Sequence, residues 1–361
     1  MGDAAWQAAR PGYDARMNDL IDILNAGGDL SAEQTAAAAH ALLDPERTDA
    51  GRADFLRALS RKGETPVEIE AFARVFLDHA VNPDLREEDL PGPMLDIVGT
   101  GGDRLNLFNV STTSMFVLAG GGVCVVKHGN RAITSKSGGA DVLEALGVKI
   151  DLPPERLAEG VKSAGLGFLF APLYHPAFKM VGPARKMLAE EGTRTIFNLL
   201  GPLLNPARPP RQLIGVAEAW LGPIFANQME RLGRESAWIV HGRTNDDCGM
   251  DEVSLVGPTQ VWQWNGRAHS EATIYPWQFE LDGCALEELR GADAATNAGI
   301  TRGILDGSIR DGRRRMVVFN SAAGFVAAGL AKDISAGLAL ARKSIDSGAA
   351  EKKLAALVAL S

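Results

Sequence analysis

Met94-Leu95-Asp96-Ile97-Val98-Gly99-Thr100-Gly101-Gly102-Asp103 is an apolar run that stops in glycines, and Asn109-Val110-Ser111-Thr112 after it opens a helix near 111–119. Strand, glycine turn and helix start, in that order, make one βα unit. A second follows at once: a strand over Val123–Lys127 passes through His128-Gly129-Asn130-Arg131 and Thr134-Ser135-Lys136-Ser137-Gly138-Gly139 into a helix near 139–146. Further on come a helix near 154–164 and strand candidates at Gly167–Ala171, Gln212–Val216, Ala237–His241 and Met316–Phe319. Two more strands, of open pairing, read over 259–264 and 270–279, and the alanine-rich run Ala322–Leu357 reads as helix. This alternation predicts an α/β domain with a mainly parallel central sheet.

Upstream, from about 14 to 82, apolar residues recur at helical spacing throughout. Ser31 with Gln34 fits a capping box, and Thr65-Pro66-Val67-Glu68 offers a cap, a proline at the first helical position and a glutamate in the first turn. Two helix starts are predicted there. The polar, proline-rich stretch from Val81-Asn82-Pro83-Asp84 to Pro91-Gly92-Pro93 separates the two patterns. It predicts a small all-helical N-terminal domain over 1–92, with helices near 177–192 as candidates to join it, and a larger α/β domain over 93–361.

Lysine and arginine number 37 against 45 aspartates and glutamates in 361 residues, a net charge of −8, which disfavours a mainly electrostatic nucleic-acid binder but leaves room for a basic pocket. With 46% apolar and 23% charged residues the composition excludes wholesale disorder, while 40 glycines point to many tight loops. The three cysteines, Cys124, Cys248 and Cys284, show no C-x-x-C spacing, so a reducing cytoplasm is expected and neither disulfide framework nor zinc site is. The N-terminus has no apolar signal region. Leu105–Val126 is uncharged over a membrane-span length, yet its asparagines, hydroxyls and three consecutive glycines favour a buried helix followed by a buried strand.

Four places carry residue types with chemistry. In the loop from Gly99 to Asp103 the glycines admit a ligand close to the backbone, and loop amides with a helix N-terminus suit an anion. The loop has neither the lysine and spacing of a P-loop nor G-x-G-x-x-G, so alone it favours a tight structural turn over an anion site. The segment Lys127–Gly139 brings cations, hydroxyls and amides to the same sheet edge, because parallel strands gather their C-terminal ends. A polyanion bridging both loops and a solvated basic turn are both open. Met250-Asp251-Glu252-Val253-Ser254, with Asp246 and Asp247 upstream, offers adjacent carboxylates for Mg²⁺ or a plain solvated surface. Finally His175, Arg185 and the uncharged run around Gly201 and Pro202 could hold an aromatic acid, the arginine gripping its carboxylate against an apolar wall. The plainer alternative is a helix-start histidine and an exposed arginine.

Taken in order, D-I-V-G-T-G-G-D with F-N-V-S-T (96–112), K-H-G-N-R (127–131), S-K-S-G-G-A-D-V-L-E-A-L-G (135–147), F-A-P-L-Y-H-P (170–176), R-T-I-F-N-L-L-G-P-L-L-N-P (194–206) and D-E-V-S (251–254) resemble the anthranilate phosphoribosyltransferases over nearly the whole chain. Gly63-Glu64-Thr65 looks like that family's small domain. The resemblance implies a glycosyltransferase of tryptophan biosynthesis, a cytoplasmic homodimer. It would move phosphoribosyl from phosphoribosyl pyrophosphate to the amine of anthranilate, with two Mg²⁺ per subunit. Carried over position by position, the donor would contact Gly99, Gly102, Asp103, Asn109, Val110, Ser111, Thr112, Lys127, His128, Gly129, Asn130, Arg131, Ala132, Ile133, Thr134, Ser135 and Gly139. Anthranilate would contact Gly99, His128, Asn130, His175, Arg185 and Gly201, and metal would sit on Ser111, Asp251 and Glu252. Catalytic roles would fall to Lys127, His128, Asp251 and Glu252. The chain departs from the family at Leu107, usually threonine, at Gly139, usually serine, and in about three extra residues between Arg185 and Arg194. A nucleoside phosphorylase of related fold, told apart by thymidine phosphorolysis, and a non-catalytic paralogue that binds nucleic acid, told apart by gel shift, are the competing readings.

Overall fold

The computed structural model describes residues 13–132 and 136–360, the side chains of 13–16 excepted. Four helices come first: α1 (Tyr13–Asn25), α2 (Ala32–Leu42), α3 (Asp49–Lys62) and α4 (Pro66–Asp78). Both expected starts are capping boxes, Ser31 with Gln34 on α2 and Thr65 with Glu68 on α4, each worth about 1 kcal/mol. Glu68 does more than cap. Its carboxylate is fully buried and accepts from the Leu30 and Thr65 amides at 3.0 and 2.7 Å and from Lys62 Nζ at 2.6 Å. Glu68→Ala would leave the buried Lys62 ammonium with the exposed Asp29 alone. It is expected to destabilise by about 3 kcal/mol, read as a lower urea midpoint.

After them come β1 (Met94–Gly99), α5 (Val110–Gly120), β2 (Cys124–Gly129), α6 (Gly139–Ala145), α7 (Pro154–Ala164), β3 (Leu166–Phe170) and the short α8 (Ala171–Tyr174). Next are α9 (Phe178–Glu190), α10 (Phe197–Leu200), β4 (Arg211–Gly215), α11 (Leu221–Arg231), β5 (Ser236–Arg243), β6 (Gly249–Met250), β7 (Thr259–Trp264) and β8 (His269–Ile274). The chain closes on α12 (Ala294–Leu305), α13 (Gly312–Ala327), α14 (Ile334–Asp346) and α15 (Ala349–Ala359). The uncharged stretch from Leu105 is therefore the buried helix α5 followed by β2. No helix among the described residues is long and apolar enough to cross a membrane.

The sheet order is β3-β2-β1-β4-β5-β7-β8, with β6 paired to β5. The five strands from β3 to β5 are parallel and the β5–β6, β5–β7 and β7–β8 pairs antiparallel, so the sheet is mainly parallel. From β1 the chain winds outward to β2 and β3, then returns to β4 on the other side. That reversal opens a crevice at the C-terminal ends of β1 and β4, where Gly99 pairs in register with Gly215.

Two expectations change. Met316–Phe319 is not a strand: it lies inside α13, started by Asp311, whose carboxylate accepts from the Arg313 amide. Nearly every residue from Met316 to Phe325 is buried, so the helix carries no polar face and its four apolar residues mimic a strand. The stretch 270–279 is strand only to Ile274, since Pro276 starts a 3-10 turn.

The chain divides into two compact units: the described residues to Ala80 with His175–Leu204, and Val81–Tyr174 with Asn205 onward. The division falls at Ala80 rather than at 92 because the proline-rich stretch packs with the sheet. Val81 donates its amide to the Tyr174 carbonyl at 2.8 Å, and Leu85 and Leu90 lie on the core of Met94, Cys124 and Leu169.

Candidate active site

At the crevice the Asp251 loop lies directly against the sheet end. A Cβ on Gly215 would come within 1.6 Å of the Asp251 carbonyl oxygen, so that position requires glycine, and one on Gly99 would come within 2.3 Å of Asp251 Oδ2 and displace the carboxylate. The Gly101 amide donates to Asp251 Oδ2 at 2.7 Å, and the Ser111 amide at the start of α5 donates to Glu252 Oε1 at 3.1 Å. The first and third chemical motifs thus form one site. Asp103 joins them, hydrogen-bonded to Asp251, and burial first and then the neighbouring Asp251 charge raise its carboxyl. Burial likewise raises Asp251 and Glu252, the latter well above the usual carboxylate range.

Lys127 supplies the opposing charge. Its ammonium is buried, donating to the Ile97 carbonyl and to Ser111 Oγ, the latter at 3.2 Å. Burial lowers it, opposed by the charges of Asp96, Glu252 and Asp251. His128, next along β2, points to the other face of the sheet, and its amide donates to Asp96 Oδ1 at 3.2 Å. Asp96 is wholly buried, which pushes its carboxyl up to about 6 against the pull of Lys127.

The donors here are oxygens: two adjacent carboxylates, a third beside them and the Ser111 hydroxyl. Such a set suits Mg²⁺, which keeps waters and takes substrate oxygens rather than needing a full protein cage. Among the described residues no three or more His, Cys, Asp or Glu form such a cage. Burial raises the carboxyls of Asp103, Asp251 and Glu252, and the charge of a bound cation would favour their ionised forms.

The second motif reaches the same edge, with one difference from expectation. Arg131 is turned onto α6, where Glu144 and Asp141 bind its guanidinium and Phe170 lies 5.5 Å beneath it, so its charge is already neutralised. Asp141, absent from the sequence-derived site, accepts from the Ala132 and Gly138 amides at 3.0 and 2.8 Å and ties both ends of the loop. Ile133, Thr134 and Ser135 lie outside the described residues. Leu107 packs its side chain on the sheet core, and its backbone bridges Arg290. At Gly139 a Cβ would stand 3.0 Å from Thr112 Oγ1, so a serine there would crowd that hydroxyl.

Within the helical unit Arg185, on α9, stacks over the rings of Phe178 and Phe197 at 5.6 and 5.1 Å. Burial alone lowers its pKa, and among the described residues no carboxylate opposes it. His175 Nε2 bonds the Leu204 carbonyl at 2.8 Å, and burial pushes the ring down to about 4, so it is neutral at pH 7. The apolar wall expected around Gly201 is largely core instead: Leu199, Leu200, Pro202 and Leu203 are buried and Gly201 is exposed. The stretch after Arg185 carries α9 to Glu190 and is held to α3, Glu191 binding Arg57 at 2.7 Å and the Arg194 carbonyl accepting from Ser60 Oγ at 2.5 Å.

Comparison with known proteins gives a consistent result. Residues 91–351 match the a/b domain of a glycosyl transferase family, and residues 18–80 match its helical bundle domain. Anthranilate phosphoribosyltransferases from Bradyrhizobium sp. (strain ORS 278) and Desulfatibacillum aliphaticivorans are 44% and 43% identical. These alignments cover 96% and 94% of this chain and 99% and 97% of the relatives. The crystal structure of the Thermus thermophilus enzyme superposes with a TM-score of 0.86 at 40% identity, covering 95% of this chain and 99% of that one. The Saccharomyces cerevisiae enzyme in complex with PRPP and Mg superposes at 0.85 with 28% identity, covering 96% and 98%.

Proposed function

This chain belongs to the anthranilate phosphoribosyltransferase family, and from that premise we propose how its residues carry the reaction. It is a glycosyltransferase that moves the phosphoribosyl group of phosphoribosyl pyrophosphate to the amine of anthranilate. Pyrophosphate leaves, and the product is N-(5-phosphoribosyl)anthranilate, an intermediate of tryptophan biosynthesis. The observation that carries the site assignment is the meeting of Asp251 and Glu252 with the glycine loop and the start of α5.

Ser111 Oγ, Asp251 and Glu252 would hold Mg²⁺, two ions per subunit, with Asp103 at their side. Bound Mg²⁺ offsets the negative charge that builds on the departing pyrophosphate. With the Gly101 and Ser111 amides engaged by Asp251 and Glu252, the amides of Gly102 and Thr112 would meet the donor phosphates, dipoles that need no rearrangement as charge develops. Lys127 holds Ser111 in place and keeps a positive charge beneath the carboxylates. Gly99, Asp103, Asn109, Val110, Thr112 and the loop from Lys127 to Ser135 complete the donor site, Arg131 through its backbone. On the acceptor side the family resemblance assigns Arg185, His175 and Gly201 of the helical unit, Arg185 to the anthranilate carboxylate, and separately Gly99 and Asn130 of the α/β unit. His128 orients the amine and takes its proton once the C–N bond has formed. The amine is uncharged at neutral pH, so orientation against a ribosyl centre that is losing its leaving group is the larger contribution.

A homodimer in the cytoplasm, without nucleic-acid or membrane partner, belongs to the same reading. The net charge of −8 supports the absence of a nucleic-acid partner and the three free cysteines a reducing compartment, while the dimer rests on family resemblance alone. The test is direct. Purified protein with PRPP and Mg²⁺ is expected to consume anthranilate, seen as loss of its fluorescence, to stop on addition of EDTA, and to show no thymidine phosphorolysis. Phosphorolysis without anthranilate consumption would overturn the assignment.

A further inference from the structure

We propose that Asn297, on α12, is a positioning residue for the phosphoribosyl donor, acting through Asn109. The proposal rests on the placing of Asn109 in the donor site. Asn297 is 188 residues from Asn109 in sequence, lies in none of the family motifs quoted above, and is only 2% exposed. Its Oδ1 accepts from the Ala292 amide at 2.9 Å, and its Nδ2 donates to Asn109 Oδ1 at 2.9 Å. Asn109 Nδ2 then donates to the Ser137 carbonyl at 3.2 Å. The direction of this chain is fixed at both ends, because a backbone amide can only donate and a carbonyl can only accept. Asn297 therefore dictates which way the Asn109 amide is turned.

The consequence appears at α5. Asn109 is the N-cap of that helix, where an asparagine side chain ordinarily accepts from an amide of the first turn for about 1 kcal/mol. Here it makes no such bond, since its oxygen is held by Asn297. The first turn of α5 is left to other acceptors, and the Ser111 amide has taken Glu252. The same segment braces the preceding loop. Phe108 donates to the Leu289 carbonyl at 3.0 Å, Gly291 donates to the Asn106 carbonyl at 2.8 Å, and Leu107 bridges Arg290 between them. A Cβ on Gly291 would stand 2.7 Å from Phe108 Cα, so the two stretches of chain run in close contact.

Asn297→Asp keeps the acceptor for Ala292 but cannot donate to Asn109, whose amide must turn over and lose Ser137. The expected result is a rise of about tenfold in the KM for PRPP, with the anthranilate KM changed by less than about twofold. Asn297→Ser, which buries no charge, is the second variant should the aspartate fail to fold. A double-mutant cycle gives the readout that a merely structural role would not produce: in an Asn109→Ala background, neither Asn297 substitution should raise the PRPP KM further. Equal effects in both backgrounds, or an unchanged PRPP KM in a folded Asn297 variant, would make Asn297 only a core polar group of α12. If Asn109→Ala alone leaves the PRPP KM untouched, the donor-site reading of Asn109 fails, and the proposal falls with it for that separate reason.

Discussion

Replacing Asp251 and Glu252 together by alanine is expected to lower kcat/KM by at least about a thousandfold, roughly 4 kcal/mol of transition-state stabilisation, without lowering the thermal midpoint of the metal-free protein. The second half of that result follows from electrostatics. Burial raises both carboxyls, and Asp251 raises Glu252 further. A carboxyl raised in the folded state favours folding below its ordinary pKa, and that contribution is lost as pH rises through the folded value. The two carboxyls therefore cost the metal-free fold stability as pH rises, a cost relieved only in part by Lys127. Removing them is neutral or stabilising. Mg²⁺ should raise the midpoint of the parent protein and not of the double variant, and the parent's Mg²⁺ affinity should fall as pH is lowered and protons compete for the same oxygens. Calorimetric scans with Mg²⁺ and with EDTA decide the matter. A large drop in the midpoint of the variant in EDTA would show instead that the pair is structural, holding the Gly101 and Ser111 amides.

Which parts are legible in the sequence follows from how local each signal is. The strands β1 and β2 and the helix α5 are bounded by glycine, asparagine and proline, whose backbone effects act within a few residues. Their limits fall within two residues of expectation. The capping boxes at Ser31 and Thr65 are equally local. Met316–Phe319 reads wrongly as strand because a helix buried on every side shows no period, and four apolar residues then fit either element. The joining of Asp251 to Gly99 and Gly215 spans 152 and 36 positions and depends on sheet order, which composition does not carry. Resemblance to a family supplies that link where spacing alone leaves a solvated acidic pair. It does not supply Asp141 or Asn297, whose importance lies in which backbone groups they satisfy. The charge of Arg131 is hidden from the sequence for a related reason: Glu144 is one helical turn beyond Asp141, and only the turn of the loop brings both onto the guanidinium.

Arg185→Ala is expected to raise the KM for anthranilate by at least about thirtyfold while the KM for PRPP stays within about twofold. A guanidinium that binds a carboxylate through two parallel hydrogen bonds is worth about 2 kcal/mol or more where water is scarce. Arg185 meets that condition. Burial has stripped part of its hydration, lowering its pKa, and among the described residues no carboxylate has replaced it. The rings of Phe178 and Phe197 hold the guanidinium through cation–π contacts worth about 0.5–1 kcal/mol each. The two rings pack on each other at 5.5 Å and both against Phe76 at 5.2 Å, so the stack is part of the core of the helical unit and not a pair of mobile side chains. The ordering cost of the arginine is thus met in folding rather than at binding. Arg185→Lys should recover little, because a compact ammonium has neither the fork that matches a carboxylate nor the planar face that stacks on the rings. Saturation curves for each substrate separate the outcomes. Selective loss of anthranilate affinity in both variants supports carboxylate recognition, whereas equal weakening towards both substrates would mean that Arg185 serves the packing of α9 and that the anthranilate carboxylate is held elsewhere.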